Sequence, residues 1–131
     1  MTKISDIRTV GIPVTDQQRA VEFYLTKLGF EKRHDFPLGP GARWIEVAPP
    51  GAATTIALVP SGQGERSGAD TGIRLSTPDA ESQHAGLRAQ GVVAEEIMRW
   101  PGVPAMFVFL DPDGNRLVVV EDQVRPANSA G

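Results

Sequence analysis

Length, cysteine content and charge close several classes of function before any element is placed. The 131 residues suit one domain with one core, and the absence of cysteine excludes disulfides, thiolate metal sites, a thiol nucleophile and redox chemistry by the protein itself. A net charge of −3, with basic residues scattered rather than striped, speaks against a nucleic-acid or anionic-membrane surface and leaves a small molecule or a second copy as the expected partner.

No apolar run reaches bilayer-spanning length, and the start MTKISDIRTV lacks the basic region and apolar core of a secretory signal, so a cytoplasmic protein is expected. Taken in chain order, Ile7 to Val14 carries Val10, Ile12 and Val14 at alternate positions and predicts a strand with one apolar face. Thr15 or Asp16 then offers an oxygen to cap a helix whose apolar set is Ala20, Phe23, Tyr24 and Leu28, with Gly29 as its stop. Phe30 to Phe36, Arg43 to Ala48 and Thr54 to Val59 follow as strands, separated by Pro/Gly turns.

The Gly/Ser-rich run PSGQGERSGA predicts a linker, after which the pattern restarts. Thr71 to Thr77 is a strand with Ile73 and Leu75 on the packed face. Pro78 suits a helix first turn, Ala80, His84 and Leu87 have helical spacing, and Gly91 ends the helix. Val92 to Met98, Met106 to Leu110 and Leu117 to Glu121 are the remaining strands, the last two joined by the turn Asp111 to Asn115, to which a purely structural role is assigned. Both halves thus read strand, helix, strand, strand, strand. One domain is predicted, with module one at about 4–60, a linker at 61–70, module two at about 71–122 and a frayed tail at 123–131.

The runs VGIPVTDQQRAVEFYLTKLGFE and FVFLDPDGNRLVVVE, at the two ends of a βαβββ repeat, resemble the opening and closing elements of the vicinal oxygen chelate superfamily. This group includes glyoxalases, bleomycin-resistance proteins and extradiol dioxygenases. The resemblance implies an α+β fold in which tandem βαβββ modules form curved mixed sheets around a cavity. It also implies metal ligands on the first and fourth strands of each module. Those positions fall here on Thr9, Ala57, Gly72 and Val118, which offer a divalent cation essentially nothing, so neither metal nor cofactor is expected. Family members commonly pair, which implies a homodimer.

The two histidines, His34 on a strand and His84 on a helix, are read as packing or boundary positions rather than ligands. Strand alternation turns Trp44 and Glu46, and likewise Gly72, Arg74 and Ser76, toward the cavity, where Glu46 and Arg74 either orient a polar ligand or pair with each other. Trp100, in RWPGVPAMF, is placed on a Pro/Gly-rich connection at the cavity mouth with Trp44 across from it, the competing reading being ordinary core. Met106 and Val108 are expected to line the cavity, Phe107 and Phe109 replacing them if the register shifts by one. The first reading of function is metal-independent binding of a small, partly aromatic molecule, of sequestration or resistance type. Two alternatives stay open: a superfamily lyase, isomerase or dioxygenase with an unrecognised metal site or metal-free acid–base catalysis by Glu46, and a structural or regulatory module whose cavity is filled.

Overall fold

The computed structural model describes residues 2–61 and 68–122. Most of the predicted linker and all of the predicted tail therefore lie outside the described residues. The elements run β1 (Thr9–Val14), α1 (Gln17–Thr26), β2 (Glu31–Pro37), β3 (Arg43–Ala48), β4 (Thr55–Pro60), β5 (Asp70–Thr77), α2 (Ala80–Ala89), β6 (Met98–Trp100), β7 (Val103–Leu110) and β8 (Arg116–Glu121). They build two four-stranded sheets, ordered β1-β4-β3-β2 and β5-β8-β7-β6. Replacing each strand of the first sheet by its counterpart four places later gives the second, so the βαβββ repeat holds down to strand order. The fold is α+β.

Local chemistry explains the shared pattern. Asp16 and Asp79 cap the two helices, accepting from the backbone of Arg19 and Ser82 at 3.1 Å each. Loss of such a cap costs about 1 kcal/mol. Thr15, the other cap candidate, is used elsewhere, and Pro78 sits before the cap rather than in the first turn. At the far end of α2, Val92 N–H donates to the Leu87 carbonyl and Gly91 N–H to that of Arg88, with Gly91 at φ +84°. This paired closure requires a left-handed residue, which glycine supplies without strain.

Contacts divide the chain into two compact units, one built from residues up to Thr71 together with Asp111–Asn115, the other from Gly72–Leu110 together with the residues from Arg116 onward. In the first, α1 lays Ala20, Val21 and Tyr24 on Ile12, Val14, Ile45, Val47, Ile56 and Leu58. Phe23 and Leu28, expected in that stripe, are only half-buried, because the helix ends at Thr26 and its stripe runs through Val21 instead. In the second, Ala80 and Leu87 of α2 cover Ala105, Phe107, Phe109, Leu117 and Val119. Burial of each large apolar side chain contributes about 1.5–3 kcal/mol.

The predicted strand from Val92 to Met98 is largely absent. Ala94 makes an isolated bridge to Phe109, while regular pairing starts only at Met98. The bridge is closed by Glu95 N–H to the Val108 carbonyl and Leu110 N–H to that of Val93, and the Ala94 carbonyl, turned away from β7, accepts from two nitrogens of the Arg88 guanidinium at 3.0 and 2.7 Å. The strand shifts instead onto Met98–Trp100 and returns through Pro101-Gly102, with Gly102 at φ +77° and Trp100 paired with Val103. Pro followed by a positive-φ Gly is the sequence of a type II turn. Trp100 is therefore a strand residue, not part of a loose connection.

The turn Asp111–Asn115 belongs to the first unit. The buried Asp111 carboxylate accepts from the Tyr24 hydroxyl at 3.0 Å, from Asn115 Nδ2 at 2.9 Å, and from the backbone of Asp113 and Asn115. Asn115 also donates to the Pro13 carbonyl at 2.8 Å, and Asp113 receives both the backbone N–H and the hydroxyl of Thr15. Burial and the adjacent Asp111 charge push the Tyr24 phenol far above its ordinary pKa, keeping it a neutral donor.

Candidate functional site

In the first unit, Ile45 and Val47 point at α1, and alternation turns Trp44 and Glu46 to the opposite face of the sheet. Register fixes their neighbours. Phe36 pairs with Trp44, His34 with Glu46, Glu46 with Ala57, and Ala57 with Gly11. One row across that face is thus Gly11, Ala57, Glu46 and His34, flanked by the exposed Phe36 and half-buried Trp44.

Glu46 is the centre of this row. It is 3% exposed, and both carboxylate oxygens are held: Oε2 accepts from the Trp44 indole N–H at 2.7 Å, Oε1 from the Thr55 hydroxyl at 2.7 Å. The hydroxyls of Thr55 and Thr9 lie 2.7 Å apart. Since the single proton of Thr55 goes to the carboxylate, Thr9 is the donor between them. Burial alone raises the pKa of Glu46, but the bonds from Thr55 and Trp44, with the charges of His34 and Arg8, outweigh it and hold the carboxyl below the usual glutamate range. The result is a fixed, ionised floor carrying one indole edge-on and flanked by aromatic surface.

Thr9 and Ala57, two of the positions that the family resemblance marks for metal ligands, lie on this face. Thr9 spends its hydroxyl on Thr55, and Ala57 contributes a buried methyl. Among the described residues no cluster of three or more His, Cys, Asp or Glu could hold a metal ion. At the two positions marked for ligands, a hydroxyl bonded to Thr55 and a methyl do not fit a divalent cation.

In the second unit, β7 pairs with β8 so that Val108 faces Val118 and Met106 faces Val120, all on the side away from α2. Phe107 and Phe109 take the α2 side and are fully buried, with the His84 ring edge-on to Phe107 at 4.9 Å between centroids. Met106 and Val108 therefore hold the register first expected of them. Gly72 has φ +72°, a conformation that strains any L side chain, so the backbone itself disfavours a ligand residue there. Arg74 is exposed and donates to the Gly72 carbonyl at 3.3 Å. Trp100 pairs with Val103 beyond a register shift in the ladder and is 54% exposed, while its neighbour Arg99 reaches Glu81 of α2 at 3.3 Å.

Sequence reasoning thus found Trp44, Glu46, Thr9 and Ala57, which the first sheet brings onto one face. It missed Thr55 and Phe36 and set His34 aside. The alternation used for Trp44 would have reached all three, because Thr55 shares the parity of Ala57, and Phe36 and His34 that of their partners on β3.

A family model described as "Glyoxalase/Bleomycin resistance protein/Dioxygenase superfamily" matches residues 6–119. Uncharacterized protein YetH of Bacillus subtilis is 47% identical over 57 residues, which cover 44% of this chain and 48% of YetH, so the match spans about half of that relative's length. A member of the same superfamily from Sphaerobacter thermophilus superposes with a TM-score of 0.84 at 36% identity, covering 91% of this chain and 98% of its own. TnmS3, an antibiotic binding protein from Streptomyces sp. CB03234, gives a TM-score of 0.83 at 32% identity over 94% and 100% of the two chains. With the βαβββ repeat and its strand order in place, this chain belongs to the glyoxalase/bleomycin resistance protein/dioxygenase superfamily.

Proposed function

We propose that the chain binds a small, partly aromatic organic molecule without a metal, as a sequestering or resistance-type protein. The observation that carries this is the Glu46 arrangement. A general base works best with a pKa near the operating pH and a lone pair aimed at a substrate proton. Glu46 has a lowered pKa, and both of its oxygens already accept hydrogen bonds. That suits an ordered wall better than acid–base catalysis. Trp44 and Phe36 beside it supply flat apolar surface, the common lining of small-molecule sites. The likeness to an antibiotic binding protein at 32% identity supports the same reading.

The test is a thermal-shift and calorimetric screen of aromatic antibiotics in the presence of a chelator. A ligand present at 100 times its Kd adds about 2.7 kcal/mol to stability. We expect at least one hit whose affinity is unchanged by the chelator and which Trp44→Ala weakens by roughly tenfold or more. Binding that disappears with the chelator, or hits indifferent to Trp44, would overturn the reading. Pairing of two copies forms part of the proposal too, and sedimentation of the purified chain as a monomer at micromolar concentration would remove it.

A further inference from the structure

Between Lys32 and His34 the ladder of β2 on β3 shifts register, and the shift decides where His34 points. Glu31 and Lys32 pair with Ala48 and Val47, after which Arg33 is passed over and His34 pairs with Glu46. A regular ladder would have set Arg33 opposite Glu46 and His34 opposite Ile45, on the side of α1. The extra residue reverses that parity, and it is tied down. The Arg33 guanidinium donates to the carbonyls of Ala52 and Pro49, in the turn between β3 and β4, at 2.9 and 3.0 Å. The same shift brings Lys32 and Asp35 to one side of the strand, where they pair at 2.9 Å. Bulges of this kind serve to re-aim a side chain beside a site.

What the bulge delivers to the Glu46 face is a polar group with bonding capacity left. Both oxygens of Glu46, the Trp44 N–H and the hydroxyls of Thr55 and Thr9 are spent on one another. His34 is exposed at the edge of the sheet, and among the described residues its ring makes no hydrogen bond. Beside it on the same face stands Phe36, 47% exposed and opposite Trp44. A flat molecule lying on those two rings has its rim at the imidazole. Neutral imidazole carries one lone pair, for which an aromatic hydroxyl is a strong donor. A carboxylate on the same rim would stand next to ionised Glu46, while Arg8, whose charge also acts on Glu46, lies before β1 at the opposite edge of the sheet.

We propose that His34 is the specificity residue of this face and that it selects a hydroxylated aromatic of the phenol class, whose ring lies on Phe36 and Trp44 while its hydroxyl donates to the imidazole. The proposal rests on the aromatic-ligand reading above and adds the polar group that such a ligand must carry.

The experiment is a titration of the full chain at neutral pH with 6-hydroxyquinoline, 6-methoxyquinoline and quinoline-6-carboxylate, following the indole N–H signals by NMR and assigning them with Trp44→Phe. All three share the bicyclic ring, and only the first can donate from the rim. The hydroxy form is expected to bind about fivefold more tightly than the methoxy form, the scale of one net hydrogen bond, and the carboxylate more weakly than the hydroxy form. His34→Phe, at an exposed strand position that tolerates an aromatic residue, keeps flat surface and removes the nitrogens. It should abolish the preference for hydroxy over methoxy and leave the methoxy affinity in place. Equal affinity for the two forms, a preference that survives His34→Phe, or a carboxylate that binds as tightly as the hydroxy form overturns the assignment and leaves the aromatic site standing. If no quinoline moves the Trp44 signal at roughly ten millimolar, both readings fall together.

Discussion

The two sheets share strand order, helix caps and helix-stopping glycines, yet the faces turned away from their helices differ in kind. On the first, Thr9, Thr55, Glu46 and Trp44 form a continuous chain of hydrogen bonds through a buried carboxylate. On the second, Val108 opposite Val118 and Met106 opposite Val120 form an apolar surface. A repeated backbone therefore sets where side chains stand without setting what they do. The inward rows of Ile, Val, Leu and Phe are constrained by packing in both halves, and the outward rows differ.

The largest effect expected is on the apolar half. Phe107→Ala should cost about 3–5 kcal/mol in urea denaturation, because Phe107 is fully buried under α2. A cost similar to that of Met106→Ala would break the assigned parity. On the polar half, Glu46→Ala leaves the Trp44 N–H and the Thr55 hydroxyl without their acceptor and should cost about 2–3 kcal/mol. A neutral result would mean that the carboxylate is not the organiser of that face.

The pH dependence sharpens the same point. Glu46 is more acidic folded than unfolded, so its stabilising contribution is complete above the ordinary glutamate pKa of about 4.5 and is lost as pH falls through the lower folded value. Wild-type stability should therefore fall more steeply in acid than that of Glu46→Gln, and parallel curves would remove the claim. Asp35, held well below the usual range by hydrogen bonds from Arg43 and Lys32, contributes to the acid limb of both proteins and cancels in the difference. The smallest effect is at Met106, only part-buried, where Met106→Ala should cost about 1 kcal/mol or less in the same denaturation series.

Much of the fold was legible because its signals are local. Asp16 and Asp79 precede helical periodicity, Gly29 and Gly91 follow it, and alternation marked both faces of β3 correctly. The strand at Val92 was misread because Val92, Val93 and Ile97 look extended, whereas the segment meets β7 at a single bridge, Ala94 to Phe109, and resumes pairing only at Met98. Trp100 was placed in a connection because Pro101 and Gly102 look like loop, whereas two residues are enough for a hairpin. The site was half legible: alternation finds Trp44 and Glu46, but which partner each takes depends on register between strands, and no single strand carries that information.

The turn at Asp111–Asn115 bears on how the chain folds as it is made. Tyr24 waits for Asp111 across 87 positions, and Pro13 for Asn115 across 102. The first half to leave the ribosome is thus completed only after most of the second has been made, and until residue 115 emerges its phenol and that carbonyl lack these partners. A truncated product ending at the linker would carry all of β1 to β4 and still be an unfinished unit.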